Sequence, residues 1–95
     1  MNQRFFLYIS FNGSKYHGWQ KQNNAITVQS VIQDSINKFI KGQIEIHGAG
    51  RTDTGVHARE MVAHVNLCQI NIKDFLYRLN SILPNDIKVF KMISV

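Results

Sequence analysis

The stretch Phe5 to Phe11 (FFLYISF) restricts the folds open to this chain more than any other. In an extended conformation it puts Phe5, Leu7, Ile9 and Phe11 on one face and Phe6, Tyr8 and Ser10 on the other. Both faces are largely apolar, and the residues are β-formers, so the segment reads as a central strand covered on two sides. A central strand needs neighbours, and the rest of the chain has to supply them.

It does so in a regular order. Thr27 caps a predicted helix whose stripe is Val28, Val31, Ile32, Ile36, Phe39 and Ile40, ending at Gly42, with Ser35 as its one polar intruder. Its other side, Gln29, Gln33, Asp34, Asn37 and Lys38, reads as an ordinary solvated surface. Gln43 to His47 alternates as a short second strand. Glu60 to Cys68 (EMVAHVNLC) is the clearest alternating strand, with Met61, Ala63, Val65 and Leu67 facing one way. Asn71, with Asp74 at the third helical position, opens a second helix in a capping-box-like arrangement. Ile72, Phe75, Leu76, Leu79, Ile82 and Leu83 form its stripe, and Pro84 stops it. Asn85-Asp86 makes a turn, and Ile87 to Met92 is the last strand.

The order β-α-β-β-α-β is the split βαβ of ferredoxin-like folds. The expected class is α+β: a four-stranded antiparallel sheet with two helices on one face, formed by residues 1–95 as one domain. The other face includes Phe6, Tyr8, Val62, His64 and residues of the last strand. That is too apolar to stay wet, so RNA, a partner domain or another subunit is expected to cover it.

Composition adds bounds. A chain of 95 residues supports one modest core and buries roughly 65% of its unfolded surface. No apolar run is long enough for a membrane span, and Met1 to Phe11 lacks a signal peptide's basic start and cleavage site, so a soluble, cytoplasmic protein is expected. Cys68 is the only cysteine, which excludes an internal disulfide; it is expected to be a buried, inert thiol on a strand face. The net charge of +5 and pI near 9.7 favour a polyanionic partner, although no block of like charge occurs.

The most unusual segment is His47 to Arg59, HGAGRTDTGVHAR. Gly48, Gly50 and Gly55 permit a sharply shaped loop around one carboxylate, Asp53, with Arg51 two residues before it. Two readings fit those residues. One is a tight connection whose Asp and Arg satisfy the backbone and each other. The other is a loop that presents Asp53, held ionised by a nearby guanidinium, as a nucleophile or base. A dinucleotide fingerprint fails because Asp53 stands where the third glycine belongs, and a P-loop fails for want of a Lys-Ser/Thr pair. His17, His47, His57 and His64 lack short metal-ligand spacings, so no metal is expected. The loop SKYHGWQKQNNA interleaves Tyr16, His17 and Trp19 with Lys15, Gln20 and Lys21. That composition suits either contact with nucleic acid or a loop pinned by a buried Trp.

GRTDTGVHA resembles the active-site signature of the TruA family of tRNA pseudouridine synthases. YHGWQ at Tyr16 to Gln20, TVQS at Thr27 to Ser30 and LNSILPNDIKV at Leu79 to Val89 resemble that family in the same order and spacing. Thr54 stands where the family usually has Ala, and AREMVAHV replaces a segment that usually carries Gly-Gln. The resemblance implies that Asp53 is catalytic, that Arg51 is its ion-pair partner, and that neither cofactor nor metal takes part. It further implies a tRNA substrate, modified in the anticodon arm at about positions 38 to 40, with the target uridine drawn out of its stack. Lys15, Tyr16, His17, Trp19, Gln20, Lys21 and Arg59 would border the RNA. Family members are longer, with two ferredoxin-like halves, and this chain resembles the first. The alternative is therefore a catalytically incomplete fragment that binds RNA or dimerises, inactive in isolation; a homodimer is expected.

Overall fold

The structure, a computed structural model, describes residues 3–12, 27–41, 44–48, 59–68 and 70–95, with 59 and 60 described by their backbone alone. Strands β1 (Gln3–Phe11), β2 (Ile46–Gly48), β3 (Arg59–Leu67) and β4 (Ile87–Ser94) form one sheet in the order β2-β3-β1-β4. Every pairing is antiparallel. Helices α1 (Val28–Asn37) and α2 (Ile72–Ile82) complete the α+β, ferredoxin-like βαββαβ arrangement expected from the sequence.

β1 is central, as its two apolar faces require. Its inward residues Phe5, Leu7, Ile9 and Phe11 are buried, joined by Ala63, Val65 and Leu67 of β3 and by Ile87, Val89 and Met92 of β4. The helices close this face with Val28, Ile32 and Ile36 of α1 and Phe75 and Leu79 of α2. Thr27 is fully buried and forms a complete capping box, its hydroxyl accepting from the Ser30 N–H while Ser30 Oγ accepts from the Thr27 N–H. Ser35, buried on the apolar stripe, satisfies its hydroxyl by donating to Val31 O at 2.8 Å. At α2 only half of the expected box forms. Asn71 Oδ1 accepts from Asp74 N at 2.9 Å, while the Asp74 carboxylate pairs with Arg78 at 3.3 Å on the exposed face.

Besides β4, which runs on to Ser94 rather than ending at Met92, four details differ from the sequence expectation. α1 ends at Asn37, and Phe39 and Ile40 pack on the core from the turn that follows. β2 is confined to Ile46–Gly48. Cys68 is exposed, because β3 ends at Leu67 and leaves it beyond the last buried position.

The fourth concerns the polar side of α1, which is not simply solvated. Gln29 Nε2 donates to Ile46 O at 2.7 Å, Gln33 Oε1 accepts from Ile46 N at 3.2 Å, and Asn37 makes both bonds to Ile44, at 3.2 and 2.8 Å. Three amides spaced four apart thus lie along the outer edge of β2, where an edge strand would otherwise present unpaired backbone. Asn80 of α2 does the same for the opposite edge, bonding Val89 through both its amide atoms at 2.9 and 3.0 Å.

Candidate functional site

The topology brings to one end of the sheet the exit of β1, the start of β3 and the start of β4, and with them one flank of each motif-bearing segment. Phe11, the last residue of β1, pairs with Arg59 at the start of β3 and with Ile87 at the start of β4. Asn12 N then donates to Asp86 O at 2.9 Å, tying the exit of β1 to the turn before β4. Gly48, the last residue of β2, pairs with Ala63 of β3. In sequence, residues 13–26 lie between β1 and the capped N-terminus of α1, and residues 49–58 between the neighbouring strands β2 and β3. Gly48 and Arg59 are not opposite each other: four residues of β3, roughly 13 Å, separate Arg59 from Ala63, so the Gly-rich segment leaves β2 beside the middle of β3 and enters β3 at its start.

Among the expected site residues, Lys15, Tyr16, His17, Trp19, Gln20, Lys21, Arg51 and Asp53 lie outside the described residues. Arg59 is placed by its backbone, opposite Phe11.

The sheet face away from the helices runs up to the same end. It carries Phe6 and Tyr8 of β1 and Val62 and His64 of β3, as the alternation implied, all partly buried. It also carries groups that simple alternation did not single out. The register of β1 and β4 shifts between Tyr8 and Ile9, so that Val89 faces Ile9 and Lys91 faces Tyr8, with Phe90 as the extra residue. Phe90 and Lys91 consequently both point outward. Lys91 Nζ lies 5.1 Å from the centroid of the Tyr8 ring, and the Tyr8 and Phe90 rings are 6.3 Å apart in a tilted arrangement. On the other side of β1, His47 and His64 face each other across the β2–β3 ladder with ring centroids 5.2 Å apart, stacked. His64 Nδ1 is buried and has no hydrogen-bond partner among the described residues. Burial, then the positive charge of Arg4, then His47, lowers the His64 pKa from its ordinary 6.5, so its ring is neutral at physiological pH. Arg4 is itself tied to Asn66 Oδ1 at 3.3 Å. Among the described residues no three His, Cys, Asp or Glu side chains converge as metal ligands. None of the helices described is long and apolar enough to cross a membrane.

A family model described as tRNA pseudouridine synthase matches residues 7–95. The chain belongs to that family. Among curated relatives, tRNA pseudouridine synthase A of Porphyromonas gingivalis is 44% identical over 95 residues, covering 97% of this chain and 38% of its own length. The same-named protein of Bacteroides fragilis is 41% identical over 95 residues, covering 98% and 38%. That of Azobacteroides pseudotrichonymphae is 46% identical over 93 residues, covering 97% and 37%. The chain thus spans well under half the length of these pseudouridine synthases. The family match takes in both motif-bearing segments and every described element except the first four residues of β1.

Proposed function

We propose that the protein carrying this chain isomerises uridine to pseudouridine in the anticodon arm of tRNA, at about positions 38 to 40, with the target base extruded from its stack. The reaction breaks the bond between N1 of uracil and C1′ of ribose and forms one between C5 and C1′. The proton on C5 goes to solvent, and N1 takes one up. Asp53 is the group that acts on the ribose or the base, and Arg51 keeps its carboxylate ionised until substrate arrives. Lys15, Tyr16, His17, Trp19, Gln20, Lys21 and Arg59 border the RNA and hold its backbone without reading much sequence. No cofactor or metal is assigned a role, the compartment is the cytoplasm, and the working assembly is a homodimer.

The observation that carries this reading is the family match across residues 7–95, which takes in the Arg-Thr-Asp segment. Chemical mapping of pseudouridine in tRNA incubated with the full-length protein tests it. Pseudouridine appearing in the anticodon arm is expected; modification confined to another arm, or none, would overturn it. A second reading is favoured by the short coverage of the relatives, 34% to 38% of their lengths. In that reading the 95 residues alone are an RNA-binding or dimerising fragment without turnover.

A further inference from the structure

Phe90 is 44% exposed, among the largest apolar surfaces left uncovered in the described chain. It is there because the bulge opposite Tyr8 turns two successive residues of β4 outward, and bulges commonly re-aim a side chain in this way. Nothing in core packing requires it: Val89 and Met92 fill the inward positions on either side. The result is a cluster of Tyr8, Phe90 and Lys91, extended along β1 by Phe6, two residues and about 7 Å away on the same face. By register this face carries the cations Arg4, Lys88 and Lys91 and, placed by its backbone opposite Ser10, the carboxylate Glu60, with Glu45 just before β2 at its border. Lys88 pairs with Ser10 and so stands between the cluster and the sheet end where the Gly-rich segment enters β3.

We infer that this face is a stacking platform for single-stranded RNA, with Tyr8 and Phe90 receiving bases and Lys91 and Lys88 meeting the phosphates between them. The inference rests on the proposed tRNA substrate and extends it to a second contact surface, distinct from the motif-bearing segments. Its chemistry is general. A four-stranded sheet that exposes aromatic rings on one face binds unpaired bases by stacking, which tolerates any base because each has a π-face. Lys91 already sits over the Tyr8 ring, so the cation and the ring that would share one nucleotide are pre-positioned. Exposed rings with Lys91 and Lys88 beside them favour a nucleic acid, which offers both π-faces and phosphates, over an apolar protein surface as the occupant.

The test uses a fluorescently labelled single-stranded oligouridylate and the full-length protein, followed by anisotropy at low and moderate salt. Tyr8→Ala and Phe90→Ala are each expected to weaken binding by about 10-fold, and Tyr8→Phe and Phe90→Tyr to retain it. Lys91→Gln should reduce the salt slope by about one. Tyr77→Ala, which removes a 76% exposed ring from α2, should change nothing. Should Tyr8→Ala fail to fold, the exposed Phe90 pair of variants decides alone. Unchanged binding by Phe90→Ala would overturn the platform, as would a Phe90→Ala variant altered in sedimentation but not in RNA affinity, which would show protein covering the face. Pseudouridine mapping on the same preparations separates the two claims. Intact modification with unchanged oligonucleotide binding defeats only the platform, and aromatic-dependent binding without any modification defeats only the enzymatic reading.

Discussion

Asn37→Ala removes both hydrogen bonds that hold Ile44, at 3.2 and 2.8 Å, at the edge of the sheet leading into β2. A neutral hydrogen bond contributes about 1 kcal/mol net, so the two together are worth roughly 2 kcal/mol. Alanine is the better helix former by roughly 0.5 kcal/mol at this last position of α1, which offsets part of the loss. The expected net destabilisation is therefore about 1.5 kcal/mol, or a drop in Tm of roughly 6 to 12 °C for a chain of this size. Urea denaturation followed by circular dichroism reads it directly, and an unchanged m-value is expected, since the native and unfolded surfaces stay the same. Asp34→Ala, on the exposed side of the same helix, serves as the reference and should lie within about 0.5 kcal/mol of the parent. If Asn37→Ala matched that reference, water would be replacing the amide at no cost. The idea that α1 fixes β2, and through it one root of the Gly-rich segment, would then be wrong.

Three further outcomes are expected. Because burial lowers the pKa of His64, the unfolded state binds the proton more readily. The stability due to the neutral ring is thus whole above pH 6.5 and is lost as pH falls from there through the folded value; His64→Gln should flatten that part of a stability–pH curve, and an unaltered curve would refute the assignment. Neutralising Lys15 and Lys21 should weaken tRNA binding and reduce its salt slope by about two, and an unchanged slope would place the RNA elsewhere. The isolated 95 residues should self-associate as a twofold dimer through the outer edge of β4, which past Val89 has no side-chain cover among the described residues, and a strictly monomeric sedimentation profile would contradict this.

The fold was legible because two periodicities dominate it. Alternation placed Phe5, Leu7, Ile9 and Phe11 inward and Phe6 and Tyr8 outward, and a stripe of helical period placed Val28, Ile32 and Ile36 on the core. Three things escaped because no period encodes them. The Phe90 bulge breaks the alternation of β4, and its position depends on pairing with β1 rather than on local composition. Gln29, Gln33 and Asn37 read as solvent-facing polar residues, since only the tertiary arrangement shows a strand edge beside them. Cys68 follows the alternating run by one residue, and where a strand stops is set by its partners. The candidate site rests on the Gly-rich Arg-Thr-Asp segment of the sequence, which lies outside the described residues. What the structure contributes is its setting: the β2 and β3 ends that root it, and the aromatic and basic sheet face leading toward it.

Release of tritium from tRNA carrying 5-tritiated uridine follows directly from the proposed bond exchange, since the C5 proton must leave. In the full-length protein, Asp53→Asn is expected to abolish release, and Arg51→Ala to reduce it strongly, while both variants keep the parent's circular dichroism spectrum and tRNA affinity. Release by Asp53→Asn at a rate near that of the parent would contradict the account at its centre, because no role would remain for the carboxylate around which the segment is built.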